Sequence, residues 1–336
     1  MRYKAISLLS GGLDSIIATK VIMEQGIEVL ALNLVSPFCT CTSSSSGCLN
    51  IAKKAADDLG IEIKFVNKGL EYVKLVENPK MGYGKALNPC QDCRVFAFKV
   101  AKDVMDSEKA QFIITGEVLG QRPMSQRKDA LFRIENASGL KGYIVRPLSA
   151  KLLPPTIPEK EGIIDRNKLL DIAGRSRRQQ LDWADNFQIK DFACAGGGCK
   201  LTEKLFAKKL KDVFENDPAY DMSDIILLNI GRHFRIAKNT KVIIGKDEKE
   251  NRRLVAYAKA SEKYNYLEAV DYPAPSALIT NGKNEEAMEI AKKLISEYAK
   301  FNEEKLSEIK FKDKDEDIIV IRVAEAGFEI DRYRVV

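Results

Sequence analysis

The chain has 336 residues, 45% of them hydrophobic and 30% charged, a composition that supplies apolar surface for a real core and suits two or three domains. Its 54 Lys and Arg against 48 Asp and Glu leave a net charge of +6, which permits a nucleic-acid partner without requiring one. No apolar stretch approaches the roughly 20 residues of a membrane span, and no signal-peptide pattern opens the sequence, so a cytoplasmic protein with no membrane partner is expected. In such a protein seven cysteines point to metal, cluster or sulfur chemistry rather than to structural disulfides.

An apolar run at residues 5–9, the hexapeptide Ser10-Gly11-Gly12-Leu13-Asp14-Ser15 and a helical pattern over 16–24 read as strand, loop and helix. The two glycines let the backbone turn and expose its N–H groups, and the following helix aims its positive end at the loop, which makes an anion cradle. Ser10 and Ser15 add hydroxyls. Asp14 would repel a phosphate directly but suits one bridged by Mg²⁺. A Gly-Gly pair alone is most often a turn, and the lysine of a Walker loop is absent.

Further strands are expected at 29–34, 61–66 and 112–115, with helices at 51–59 and 93–104 between them. This alternation predicts an α/β, Rossmann-like first domain over residues 1–150, built on a mostly parallel sheet with helices on both faces. Ligands of such sheets bind beyond the carboxyl ends of the strands, which gathers Ser10, Gly11, Gly12, Asp14, Ser15, Asn33, Thr115 and Gly116 around one nucleotide. The loop at 36–48 carries Cys39, Cys41, Cys48 and a serine tract. It reads as a lid over the nucleotide, a place for transient thiol chemistry, or a plain solvated loop.

The hexapeptide matches the SGGxDS loop of the PP-loop ATP pyrophosphatases in full. That resemblance implies cleavage of ATP to AMP and pyrophosphate with adenylation of a substrate oxygen. A second signal, Asn88-Pro89-Cys90-Gln91-Asp92-Cys93 followed by a helix and by Ile113-Ile114-Thr115-Gly116-Glu117, resembles the tRNA 2-thiouridine synthetases. Glu117 stands where that family has histidine. Cys194 and Cys199, in Cys-Ala-Gly-Gly-Gly-Cys, lie at about the distance of the family's further essential cysteine. The resemblance covers residues 1–215 and is closest to a branch carrying Gln121-Arg122-Pro123-Met124-Ser125-Gln126 and Gly174-Arg175-Ser176-Arg177.

A uracil carbonyl oxygen is a poor leaving group, so ATP must first make it an adenylate, after which a sulfur nucleophile displaces AMP. Thiolates at Cys90 and Cys93, with Cys199 as the third (Cys194 is the alternative), can hold a [4Fe–4S] cluster by three irons and leave the fourth open for sulfide. In a competing mechanism Cys90 is a nucleophile or disulfide partner and Cys199 carries a persulfide, with no cluster. A structural zinc site closed by Cys194 and Cys199 is the third possibility. Asp14, Cys90 and Cys199 are therefore the candidate catalytic residues.

Residues 151–217 are expected to form a basic adaptor: a proline-rich connection at 147–158, a helix at 166–172, and a helix at 201–214. Arg175, Arg177, Arg178, Lys204 and Lys208, with Lys200, Lys209 and Lys211, surround the cysteine loop and suit an RNA backbone; an ordinary solvated lysine face is the alternative. Residues 218–336 predict a small α+β domain, with strands at 225–230, 231–235, 241–244 and 318–323 and helices at 248–260 and 284–300. Gly231-Arg232-His233-Phe234-Arg235 and the stretch at 245–251 are similar to the RNA-binding module of ribosome quality-control proteins. His233 is the sole histidine, expected as a hydrogen-bonded structural residue.

Three functions remain open from the sequence. The first is an ATP-dependent tRNA sulfurtransferase fed by sulfide or a persulfide carrier. The second is a PP-loop ligase that forms amides or nitriles and needs no cysteines. The third is a non-catalytic RNA-binding adaptor. The modified uridine, the sulfur donor and the oligomeric state are not written in one chain.

Overall fold

The structure, a computed structural model, describes residues 3–40, 48–193, 198–270, 272–282, 284–299, 308–314, 318–322 and 329–336. Expectations for Cys41, the serine tract and Cys194 fall outside these residues. The chain divides into two compact units, Met1–Thr202 and Glu203–Val336.

The first unit is built on β1 (Lys4–Leu8), whose three central residues are buried. Parallel neighbours flank it, with Ile6 opposite Leu30 of β2 (Glu28–Val35) on one side and Ile113 of β4 (Phe112–Thr115) on the other. With β3 (Ile63–Asn67) and β5 (Ile144–Val145) the order is β3-β2-β1-β4-β5, all parallel. Such strands read as continuous apolar runs because both faces are covered. Ala5, Val29, Phe112 and Ile114 pack on Leu13, Ile17, Val21 and Ile22 of α1 (Leu13–Met23). Ile6, Leu30, Ile113 and Ile144 pack on Phe98, Ala101 and Met105 of α4 (Cys90–Ser107). Successive strands add to one side of β1 and then to the other, so the carboxyl ends of β1 and β4 bound the crevice where such sheets take ligands.

The remaining helices of this unit are α2 (Cys48–Leu59), α3 (Gly69–Glu77), α5 (Lys128–Ser138), α6 (Ile157–Lys160) and α7 (Arg178–Asn186). The helix expected at 166–172 is one 3₁₀ turn, Arg166–Lys168, opened by Asp165 accepting from Asn167 N. Beyond it the chain is extended: Leu170 N donates to Pro147 O at 2.8 Å, Ile172 N to Leu148 O at 2.7 Å, and Lys151 N to Leu170 O at 3.0 Å. Leu169, Leu170 and Ile172 are buried in the α1 core by this pairing, so a short apolar run mimicked a helical face.

The second unit is α+β. Its antiparallel sheet runs β11 (Ile318–Arg322), β10 (Glu308–Lys312), β8 (Tyr264–Ala269), β9 (Ala277–Thr280), β7 (Thr240–Ile244), β6 (Arg232–Ala237). Helix α11 (Glu285–Tyr298) buries Ala287, Ala291, Leu294 and Ile295 against Val242, Ile244 and Ile279. Leu254 and Ala258 of α10 (Glu248–Lys259) pack with Tyr264, Tyr266 and Leu278. Two further helices, α8 (Lys204–Asn216) and α9 (Met222–Leu227), precede the sheet. The strand expected at 225–230 is instead α9 and the turn after it. Asp221 accepts from Ser223 N and Asp224 N while Asp224 accepts from Asp221 N, a reciprocal cap that commits the apolar run to a helix. Among the described residues no helix is long and apolar enough to cross a membrane.

Candidate functional site

The loop after β1 is held in one shape by close packing. Gly11 has φ +76°, and a Cβ there would stand 2.8 Å from Ile51 Cγ2 and 3.0 Å from Ala52 N of α2, so only glycine fits. Gly12 begins α1 with no side-chain cap. Ser15 Oγ donates to Gly12 O at 2.7 Å, and Ser10 Oγ accepts from Gly12 N at 3.3 Å and lies 3.2 Å from Ser15 Oγ. Asn33 reaches from β2 and donates Nδ2 to Leu9 O at 2.8 Å, bracing the loop. At the end of β4, Thr115 is buried beside Leu8. A Cβ on Gly116 would lie 2.5 Å from Ser15 N and 2.6 Å from Asp14 C. The residues assigned to the nucleotide are thus brought to one place.

Asp14 differs from its neighbours in being half satisfied. Oδ2 accepts from Gln121 Nε2 at 3.1 Å, whereas Oδ1 is buried with no partner. A buried acceptor left unmade costs about 1–3 kcal/mol, and a carboxylate oxygen in that condition suits a divalent cation. The site fits Mg²⁺ on this ground.

The thiols belong to the same unit as this loop. Cys90 and Cys93 occupy the first turn of α4, which begins three residues earlier than the pattern implied. Cys93 Sγ accepts from Tyr72 Oη of α3 at 3.1 Å and from Lys68 Nζ at 3.2 Å, with Lys68 also 4.3 Å from the Tyr72 ring centroid. Burial pushes the Cys93 thiol up, but the Lys68 ammonium, the Tyr72 hydroxyl and Arg94 outweigh it and hold Cys93 below the ordinary thiol value. Burial, then the Cys93 charge, pushes Cys90 the other way, opposed by Arg122 and Arg94. Tyr72, buried and facing the Cys93 thiolate, is raised and stays a donor.

Cys199 arrives from far along the chain because its segment is sewn to the first domain at both ends. Ala193 N donates to Gly11 O at 2.8 Å. Thr40 N donates to Gly198 O at 3.2 Å, Lys200 N to Phe38 O at 2.8 Å, and Leu87 N to Leu201 O at 3.1 Å. Burial pushes the Cys199 thiol up to about 11, with added repulsion from Cys93 and Cys90. Cys90, Cys93 and Cys199 are in no disulfide. Cys93 pushes both Cys90 and Cys199 up.

Among the described residues no three Cys, His, Asp or Glu side chains are assembled to hold a metal ion as they stand. The donor set nevertheless fits an iron–sulfur cluster in kind: three thiols, one of them already favoured as thiolate, and two cations to offset the charge of a sulfur-rich anion.

Sequence reasoning missed the partners that set these charges. Lys68 precedes α3 and Tyr72 lies within it, in a stretch that carries no chemical motif. Gln121 and Arg122 are adjacent in a segment singled out only by resemblance, yet one bonds Asp14 and the other acts on Cys90. Glu117, fully buried, forms an ion pair with Arg94 Nε at 2.9 Å and accepts a hydrogen bond from Arg146 Nε at 3.1 Å, so its carboxylate is committed to two arginines. A cavity of about 540 Å³ beside α5 and residues 150–160 holds none of the candidate site residues.

The basic residues divide between the units. Arg175 and Arg178 are exposed and Arg177 half-buried in the first; Lys204 and Lys208 are exposed in the second. Lys209 is not a phosphate contact. It donates to Gly231 O at 3.1 Å and to Leu228 O at 3.4 Å, and burial, then Lys246, pushes it down to about 8. His233 is a core residue with Nε2 2.9 Å from Ile230 O; burial, then Lys209 and Lys241, holds it well below the ordinary histidine value.

The family model described as thiamine biosynthesis protein (ThiI) matches residues 1–178, more than half of the chain. The chain belongs to the ThiI family. Its PP-loop is therefore that of this family, and the second unit carries a match at residues 231–334 to the NFACT protein RNA binding domain. A probable tRNA sulfurtransferase of Methanothermobacter thermautotrophicus is 30% identical over 119 residues, covering 35% of this chain and 30% of the relative. A tRNA-specific 2-thiouridylase MnmA of Thiobacillus denitrificans is 27% identical over 245 residues, covering 69% and 64%. The chain thus spans from under a third to just under two thirds of the length of these relatives. A solved 4-thiouridine synthetase–RNA complex with bound ATP aligns at 21% identity over 66% of this chain and 53% of that one, with a TM-score of 0.37.

Proposed function

We propose that this ThiI-family chain is an ATP-dependent tRNA sulfurtransferase of the cytoplasm. The observation that carries the reading is that the segment bearing Cys199 is tied to the ATP loop itself, Ala193 N donating to Gly11 O at 2.8 Å, beside Gln121, which holds Asp14, so that nucleotide and thiol share one site. The relatives named as tRNA sulfurtransferases and the RNA-binding match in the second unit support tRNA as the substrate.

In this reading the N–H groups at the start of α1, with Ser10 and Ser15, hold the departing pyrophosphate, and Asp14 binds the Mg²⁺ that bridges it. A uridine carbonyl oxygen attacks the α-phosphorus, pyrophosphate leaves, and the oxygen becomes an adenylate. A sulfur nucleophile then adds to that carbon and AMP departs. Cys90, Cys93 and Cys199 would hold a [4Fe–4S] cluster, which when bound would supply a binding site for sulfide; without it, Cys199 would take sulfane sulfur by exchange from a persulfide donor, which leaves as a thiol. Lys68, Tyr72 and Arg94 favour the thiolate of Cys93 against the cost of its burial in either case. Arg175, Arg177, Arg178, Lys204 and Lys208 contact the RNA backbone. An amide-forming ligase would need no thiols, and three that share their charges speak for sulfur.

The test is nucleoside analysis of tRNA incubated with the protein, ATP, Mg²⁺ and sulfide. A thiouridine should appear with one AMP per sulfur and vanish in Cys90→Ser. AMP formation with ammonia that ignores Cys90→Ser would overturn the reading.

A further inference from the structure

Cys39 and Cys199 are direct partners in an isolated antiparallel bridge. Its two hydrogen bonds, Lys200 N to Phe38 O and Thr40 N to Gly198 O, lie one residue to either side of the pair and not within it. Cys39 and Cys199 are therefore a non-hydrogen-bonded pair, the kind in which opposed Cα atoms stand about 4.5 Å apart and their side chains leave the same face. Disulfides close at Cα separations of roughly 4.4–6.8 Å, so the backbone already meets that requirement. Both segments are fixed: Thr40 Oγ1 also donates to Gly198 O at 2.9 Å, and Cys39 N donates to Ser36 O at 3.2 Å. Both cysteines are half-buried, which leaves a route for a small reagent.

We propose that Cys39 and Cys199 are a reversible disulfide site, closed by exchange with a small-molecule disulfide, which withdraws Cys199 from the group it forms with Cys90 and Cys93. One cysteine, as thiolate, attacks a sulfur of the small disulfide and expels the first thiolate, leaving a mixed disulfide. The other cysteine attacks the protein sulfur of that mixed disulfide and expels the second. Two electrons pass from the protein sulfurs to the small disulfide, and the two thiol protons end on its two thiols. No other oxidant is required. The closed form ties residues 38–40 to 198–200 covalently and leaves Cys90 and Cys93 as thiols. The site does not depend on the sulfurtransferase reading, because it follows from backbone pairing alone.

The experiment treats the full chain with oxidised glutathione at neutral pH, alkylates remaining thiols with iodoacetamide, and maps the unreduced digest by mass spectrometry. The expected result is a cross-linked peptide pair joining Cys39 to Cys199, with Cys90 and Cys93 alkylated, and full reversal by dithiothreitol. In Cys39→Ser, whose fold is checked by circular dichroism, Cys199 should instead be alkylated or carry glutathione. Linkage of Cys199 to Cys90, Cys93 or Cys194 in the wild-type chain, or alkylation of both Cys39 and Cys199, overturns the proposal, and this mapping stands even if the variant fails to fold.

Discussion

Gln121 Nε2 and Asp14 Oδ2 are joined at 3.1 Å, and this one bond fixes the carboxylate so that its other oxygen faces a buried space with no partner. If that oxygen binds Mg²⁺, Asp14→Ala removes the metal's anchor without touching a basic residue. AMP and pyrophosphate formation should fall by at least about a hundredfold, while RNA affinity stays within twofold. Turnover at the wild-type rate in Asp14→Ala, measured by pyrophosphate release, would sink the ATP assignment. Gln121→Leu should keep the activity but raise the Mg²⁺ concentration needed for half-maximal rate.

Gly116→Ala probes the approach of β4 to the loop. The new methyl would stand 2.5 Å from Ser15 N and 2.7 Å from Asp14 O, both backbone atoms that cannot swing aside. Overpacking of this kind costs about 1–3 kcal/mol. A lower midpoint in denaturant should therefore accompany a weaker ATP affinity. A variant of unchanged stability and affinity would mean that the loop moves freely past β4.

The parallel sheet, the loop and the thiols were legible because each leaves a local mark: unbroken apolar runs, a glycine pair before a helix, cysteines three residues apart. Two errors share one cause. Residues 166–172 and 225–230 carry only a few buried apolar side chains (Leu169, Leu170 and Ile172 in the first, Ile225, Leu227, Leu228 and Ile230 in the second), too few to separate a helical from an extended period. At 225–230 the reciprocal Asp221 and Asp224 cap was the available clue. The site was legible in its loop and cysteines but not in its electrostatics. Lys68, Tyr72 and Arg122 meet Cys93 and Cys90 only through tertiary packing, and no spacing along the chain announces it.

Acid should weaken the second unit through Asp217. Burial pushes this carboxyl up, but Arg235 at 2.7 Å and Lys241 at 3.3 Å outweigh it and hold it below the ordinary value. A depressed carboxyl lends stability above its unfolded pKa of about 3.9 and loses it as pH falls through the lower folded value. Asp217→Asn should therefore cost about 1.5–3 kcal/mol near neutrality. The gap to wild type should close below about pH 4, as thermal melts across pH would record. A gap that persists at acid pH would assign the cost to packing instead.

The basic residues flanking the cysteine loop predict a salt law. If Arg175, Arg177, Arg178, Lys204 and Lys208 contact phosphates, the logarithm of RNA affinity falls linearly with the logarithm of salt. Neutralising each one should then flatten the slope by roughly one unit. Lys209→Met should leave the slope alone, because its ammonium is spent on the carbonyls of Leu228 and Gly231. An affinity that ignores salt would make the five an ordinary solvated face.

The thiols decide between two routes for sulfur. Purified without oxygen, a protein whose Cys90, Cys93 and Cys199 hold a cluster should show broad visible absorption and about four irons per chain. Serine at any of the three should abolish both, whereas serine at Cys194 should not. Lys68→Met and Tyr72→Phe bear on the same question from outside the ligand set. Each removes a donor to Cys93 Sγ, so each should speed loss of the cluster in air without changing the iron count at purification. Zinc in place of iron, lost on changing Cys194 as well, would mean a closed structural site. Metal-free protein that still thiolates tRNA would leave the persulfide, and the added sulfur should then be found by mass on Cys199 and not on Cys93.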